Sequence, residues 1–290
     1  MVSLPLGQEA VRVFAIVPPP VNDRGYLVEI DCIADDGSLT DQATTAFDVA
    51  DDWTRFPRYG FLTRFSDDVS AADMLAPLRD YKINVVQYYD WMDEHHIPYR
   101  PGFDYWQDIA ARDPWVSRVK LNQLIALGRQ YNMAALAYNL MYGAYDDYAT
   151  ESGLSLASGM FMSPLGTNGY SLADQDRHEL DIAGWETQRL YLFNPADQSW
   201  RDWIALQFQT AFAALPFDGW HIDTLGERGP RYDSTGAEFD LAATYSGFVN
   251  DMRAQLGPDK PLVVNTVSNY GLTPIAQHAD VAVLYSELWN

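Results

Sequence analysis

From about residue 80 onward, short apolar runs alternate with longer amphipathic segments, the signature of βα units built on a parallel sheet. Six runs have strand character: INVVQYYD (83–90), MAALAYNL (133–140), QRLYLFN (188–194), GWHIDT (219–224), PLVVNTV (261–267) and VAVLYSEL (281–288). Between them lie three helical stripes. Leu121, Leu124, Ile125 and Gly128 recur at i, i+3, i+4 and i+7. A second stripe uses Trp200, Trp203, Ile204, Phe208, Phe212 and Leu215. The third uses Leu241, Tyr245, Phe248, Val249, Met252 and Leu256, stopped by Gly257-Pro258. All three should face the sheet. The expected fold is α/β, a (β/α)8 TIM barrel over residues 56–290. A closed barrel needs eight strands, so with six in hand the chain is expected to be truncated and the barrel incomplete at its C-terminal end.

Residues 1–55 have a different rhythm. Alternating runs at 11–16, 26–33 and 45–49 are separated by the turn-forming clusters VPPPVNDRG and ADDGSLTDQ, which predicts antiparallel strands. They fall short of the ~7 strands of a sandwich, so this segment reads as part of an immunoglobulin-like β-sandwich domain.

Composition narrows the function classes. The net charge of -21 comes from 40 acidic residues against 19 basic ones, a surface that repels nucleic acid and anionic membranes and suits a neutral substrate. No run approaches the ~18 apolar residues of a membrane-spanning helix. The single cysteine, Cys32, excludes an internal disulfide framework and a cysteine-rich zinc site. The opening residues MVSLPLGQEA lack the pattern of a signal peptide.

Two carboxylates stand at matching places near the ends of candidate strands, Asp223 in GWHIDT and Glu287 in VAVLYSEL. Strand alternation groups Asp223 with His221, and Glu287 with Val283 and Tyr285, so if those faces line the barrel both acids address one pocket. Glycosidic cleavage needs such a pair, one carboxylate to attack or stabilise the oxocarbenium-like centre and one carboxyl to protonate the leaving oxygen. The apolar neighbours Leu284, Leu288 and Trp289 favour Glu287 as the acid, which leaves Asp223 as nucleophile. Glu227, four residues past Asp223, is a rival acid or a substrate-binding group. Aromatic and polar residues at or just past strand ends, among them Trp91, Tyr138, Asn139, His221, Asn265 and Trp289, are candidates for sugar contact. His95 and His96 sit beside Asp93 and Glu94, but adjacent histidines in an extended loop diverge and no second cluster at ligand spacing follows. No metal is therefore expected there, and one histidine bonding a sugar hydroxyl is the more economical use. The acidic runs DYATE and ADQDRHELD lack the spacing of a calcium loop.

Four stretches, WTRFPRYGFL (53–62), INVVQYYDWMDEHH (83–96), FDGWHIDTLGERG (217–229) and VLYSELW (283–289), together resemble the dextranases and cycloisomaltooligosaccharide glucanotransferases of glycoside hydrolase family 66. The resemblance spans roughly residues 10–290. It implies an immunoglobulin-like N-terminal domain, a (β/α)8 catalytic barrel and a C-terminal β-domain acting on α-1,6-linked glucan with retention. On this footing Asp223 is the nucleophile and Glu287 the acid/base, while Asp90, Trp91 and His95 shape the subsite beside the scissile bond. The implied protein is an endo-acting dextranase that needs no cofactor, works outside the cell or on its surface, and takes dextran or isomaltooligosaccharides as partner. A cyclising glucanotransferase on the same glucan and a non-catalytic carbohydrate-binding protein remain the alternatives.

Overall fold

Six parallel strands form one sheet in strict chain order, the arrangement that repeated right-handed βα units impose. They are β1 (Tyr59–Leu62), β2 (Val85–Tyr88), β3 (Ala134–Leu140), β4 (Gly219–Asp223), β5 (Leu262–Asn265) and β6 (Val283–Tyr285). The connecting helices are α1 (Ala71–Asp80), α2 (Arg118–Gln130), α3 (Gln198–Ala214), α4 (Leu241–Leu256) and α5 (Leu272–His278). The computed structural model describes residues 11, 13, 15–17, 23–109, 112–179 and 189–288. By internal contacts the chain divides into two compact units, Met1–Phe56 and Pro57–Asn290.

Sequence dictates the helix ends. Ser117, Asp197 and Asp240 each accept a hydrogen bond from a backbone N–H of the first turn that follows, and Gly257, at φ 91, ends α4 in a conformation that side chains resist. The three expected stripes do face the sheet: Leu121, Leu124, Ile125, Trp200, Ile204, Phe208, Tyr245, Phe248 and Met252 are buried in one core. That core takes the outer face of the strands, Val86 and Tyr88, Ala135 and Ala137, Trp220 and Ile222, Leu262 and Val264. Trp220 stacks on Phe208 with ring centroids 3.8 Å apart.

The opposite face is concave, and the side chains show how tightly it curls. Five strand spacings of about 4.8 Å would set β1 and β6 roughly 24 Å apart in a flat sheet. Yet the rings of Tyr59 on β1 and Tyr285 on β6 lie 6.0 Å apart, and both hydroxyls reach His221 on β4, at 2.7 Å and 3.1 Å. This curled sheet is TIM-barrel-like.

One expected strand lies elsewhere, and one strand of the sheet was not expected. The run 188–194 is not a barrel strand; Arg189–Leu192 within it pairs antiparallel with Gly143–Ala144 and Arg177–Glu179 in a separate three-stranded sheet within the long excursion after β3. An apolar run reports burial and not the direction of its partners, so periodicity could not tell the two apart. Its place is taken by β1, four residues inside the WTRFPRYGFL stretch, too short and too broken by Pro57 and Gly60 to stand out. In the first unit, Arg24–Ile33 and Leu39–Val49 form one antiparallel hairpin, with Tyr26 stacked on Phe47. The described residues of the expected strand at 11–16 have no strand structure.

Gly219 begins β4 on the concave side, where a Cβ would stand 2.2 Å from the Pro261 carbonyl oxygen and 2.9 Å from its ring. Only hydrogen fits between β4 and β5 there. Gly219→Ala should lower stability by about 1–3 kcal/mol, read as a lower urea midpoint with unchanged slope.

Candidate active site

In a parallel sheet, paired residues share a face, and the register sets Tyr138, His221 and Val263 side by side, then Asn265 beside Tyr285. One step further along each strand, at the carboxyl ends, come Asp223 and Glu287. Asn265, the last residue of β5, stands between them. Its Nδ2 donates to Asp223 Oδ1 at 2.9 Å and to Glu287 Oε2 at 3.1 Å, while its Oδ1 accepts the Glu287 backbone N–H at 3.0 Å. Two oxygens held by one nitrogen lie within about 6 Å of each other, twice an N–H···O distance. The carboxylates named from the sequence therefore converge, and the amide that joins them was also among the candidates.

Among the described residues, three donors hold the Asp223 carboxylate. Tyr138 donates its hydroxyl to Oδ2 at 3.0 Å, and the Thr224 N–H joins Asn265 on Oδ1. Burial pushes its pKa up to about 6, with the charge of Glu287 adding to the rise and the three donors opposing it. Glu287 has a firm backbone and a free tip. Its N–H is held by Asn265, its carbonyl accepts the Ser268 N–H at 2.8 Å, and its side chain is exposed, with Oε1 making no hydrogen bond among the described residues. The Ser268 N–H is aimed by a turn in which Ser268 and Asn269 take the left-handed conformation. Of the apolar neighbours expected to enclose Glu287, Leu288 is 68% exposed and Leu284 packs against the core. Trp289 lies outside the described residues.

Under the pair lies His221, 1% exposed and kept neutral because burial drives its pKa down to about 3. A neutral imidazole has one donor and one acceptor nitrogen, so of Tyr59 and Tyr285 one gives a hydrogen bond and the other receives one. Both phenols are pushed well above their usual pKa, first by burial. His221 is thus a bracket beneath the cleft. Tyr59 and Tyr285 escaped the sequence reading as site residues, although alternation had grouped Tyr285 with Glu287.

His95 and Asn139 form a second bracket. Asn139 Oδ1 already accepts the Leu140 N–H, so at 2.6 Å it must accept from His95 Nδ1–H, and Asn139 Nδ2 returns a bond to the His95 carbonyl. This fixes the tautomer and leaves Nε2 as an acceptor for a ligand hydroxyl. Burial lowers the His95 pKa to about 4. Asn139 is fully buried and holds His95 in place. Asp90, in a left-handed backbone conformation, is 3% exposed and sits 3.1 Å from Arg112, with burial lifting its pKa to about 7. Tyr89, beside it, packs on Tyr138 at 4.4 Å between ring centroids.

Two candidates are corrected. Trp91 is 0% exposed, packs on Phe217 at 4.8 Å and donates its ring N–H to the Tyr138 carbonyl, so it supports the strand ends from inside the core. Glu227 is exposed and lines a groove of about 440 Å³ with Phe239, Asp240 and Tyr270, apart from the carboxylate pair. Its loop is pinned by a cluster that sequence reading did not find: Asp176, in the acidic run ADQDRHELD, takes Arg228 at 2.6 and 2.8 Å and Arg231 at 2.7 Å.

Known proteins share this arrangement of sequence and fold. Over 305 residues the chain is 32% identical to a cycloisomaltooligosaccharide glucanotransferase of Niallia circulans, covering 99% of this chain and 30% of that protein. It is 25% identical over 288 residues to a dextranase of Streptococcus salivarius, covering 93% and 34%. The crystal structure of a Paenibacillus sp. cycloisomaltooligosaccharide glucanotransferase complexed with cycloisomaltoheptaose superposes with a TM-score of 0.79 at 32% identity, over 94% of this chain and 39% of that one. The chain thus spans about a third of the length of the curated relatives it matches. Residues 2–290 match the family model for glycosyl hydrolase family 66, and the chain belongs to that family of glycoside hydrolase-type enzymes.

Proposed function

We propose that this protein cleaves α-1,6-linked glucan, dextran or isomaltooligosaccharides, inside the chain and with retention, through a covalent glucosyl-enzyme. The observation that carries the reading is the Asn265 bridge, which keeps the facing oxygens of Asp223 and Glu287 within about 6 Å of each other, a close approach of the kind that retention, with carboxyl groups ~5–5.5 Å apart, requires. Asp223 is the nucleophile. Its Oδ1 is occupied by two donors and its Oδ2 by one, so Oδ2 has the freer lone pair for the anomeric carbon. Glu287, with an unengaged Oε1 at the open side, gives its proton to the leaving oxygen and afterwards takes one from the incoming hydroxyl. His95 Nε2 and Asp90 serve the adjoining sugar.

The incoming hydroxyl decides between two outcomes. Water gives a dextranase, whereas a hydroxyl of the glucan itself gives a glucanotransferase. The second reading is favoured by the greater identity to the glucanotransferase, 32% against 25% for the dextranase. A glucan polymer does not cross a membrane unaided, which supports action outside the cell; among the described residues no helix is long and apolar enough to span a membrane. The same reading takes residues 1–55 as part of an immunoglobulin-like sandwich and 56–290 as a (β/α)8 catalytic domain.

In the full protein, Asp223→Asn should cut dextran cleavage by about 10⁴-fold or more with an unchanged circular dichroism spectrum; substantial residual turnover would overturn the nucleophile. Glu287→Gln should lose dextran cleavage yet still release fluoride from an isomaltosyl fluoride in a burst of about one equivalent, because fluoride leaves without a proton while release of the glucosyl-enzyme still lacks its base. The Asp223 carboxyl is protonated below about pH 6, so kcat/KM should fall as pH drops through that value. Tyr138→Phe removes a donor that favours the ionised form, and the acid limb of the profile should move to higher pH.

A further inference from the structure

The loops after β2 and β3 bring together two acidic stretches whose sequences gave no hint of contact, DEHH (93–96) and DYATE (147–151). Glu94, His96 and Asp147 each offer one ligand atom, and these atoms lie within 4.8 Å of one another. His96 is fully buried, with its Nε2 3.6 Å from Glu94 Oε2 and 3.7 Å from Asp147 Oδ1. Both separations exceed the roughly 2.7–3.2 Å of a hydrogen bond. Neither His96 Nε2 nor Asp147 Oδ1 has a hydrogen-bond partner among the described residues. Two unpaired polar atoms, one on a fully buried ring, face each other across a small gap, an arrangement that costs free energy unless something fills it.

The spacing suits a metal ion better than a proton. Donors ~2.1 Å from a tetrahedral centre stand about 3.4 Å from each other, near the two separations found around Nε2. Charge points the same way. Asp93, Glu94, Asp147 and Glu151 crowd the gap, and Arg100 pairs with Asp93 at 2.5 Å, Glu94 at 2.9 Å and Glu151 at 2.5 Å but not with Asp147. One guanidinium among four carboxylates leaves a field that attracts a further cation. The ring makes one hydrogen bond, from the Tyr145 N–H to Nδ1 at 3.4 Å. A metal on Nε2 would move the ring proton to Nδ1, so that long contact would have to yield.

We infer that Glu94, His96 and Asp147 form a binding site for one divalent transition-metal cation of the zinc or manganese kind, which ties the loop after β2 to the loop after β3. The imidazole nitrogen sets the preference, because calcium and magnesium take oxygen ligands. The sequence reading expected no metal here, because no second ligand cluster follows the two histidines. The two histidines do diverge, His95 to Asn139 and His96 to Asp147, but the missing ligand arrives from the next loop. The site has a positioning task. It anchors the residue next to His95, together with Trp203, whose ring N–H holds the His96 carbonyl at 2.8 Å. This inference stands apart from the glucan reading and is tested without any sugar.

The full protein would be stripped with EDTA, desalted, and titrated with zinc or manganese while thermal unfolding is followed. Bound metal would be counted by mass spectrometry after gel filtration. One equivalent should remain on the wild type, with a rise in Tm of about 5–10 °C at metal ~100-fold above Kd. The Asp147 side chain is 39% exposed, so Asp147→Asn should fold normally and bind at least about 10-fold more weakly, as should Glu94→Gln. Absence of bound metal on the wild type, undiminished binding by both variants, or tighter binding of calcium than of zinc would each overturn the site.

Discussion

One neutral imidazole holds the concave face of the sheet together. His221 sits in the fourth strand, and the phenols of the first and sixth strands both end on its ring. Neither tyrosine could reach it across a flat sheet, so the three side chains and the curl imply one another. Charging the ring would cost its burial and remove the acceptor nitrogen, which is why the pair of phenols and the low pKa belong to a single arrangement. Because strand ends ride on strand bodies, the convergence of Asp223 and Glu287 depends on this bracket below them.

Above it, Asn265 does for charge what His221 does for shape. Two carboxylates close together repel, and an amide N–H₂ shared between them reduces that repulsion without adding a proton to either. Asp223 is further steadied by Tyr138 and the Thr224 N–H, so burial raises its pKa only to about 6. The two acids end up distinguished by surroundings: one is enclosed by donors, the other is tethered by its backbone and open at its tip. Environment of this kind lets a matched pair of carboxyl groups take different parts in one reaction.

Much of this was legible in the chain itself. Period marked five of the six strands of the sheet and three of the five helices that connect them, and alternation placed His221 with Asp223 and Tyr285 with Glu287. What stayed hidden has a physical reason in each case. The run 188–194 looked like a barrel strand because burial, not partner direction, makes a segment apolar. Tyr59 gave no signal because the strand around it is short and sits in a stretch broken by Pro57 and Gly60, so its two-residue alternation does not stand out. Trp91 looked like a sugar platform, since a strand-end aromatic has the same letter whether its ring faces the cleft or the core. Asp147 and His96 share no local pattern, and only the fold sets them side by side.

The clasp of Asp176 by Arg228 and Arg231 has a bearing on how this protein can diversify. Asp176 is almost wholly enclosed, and the arginines are only 13% and 12% exposed, so losing Asp176 strands two guanidinium charges largely away from water at a cost of about 3–5 kcal/mol. The trio must therefore be inherited or exchanged as a unit, whereas neighbours such as Glu227 and Glu238 can drift singly. Descendants of this sequence should vary the rim of that groove freely while its hinge pin stays the same.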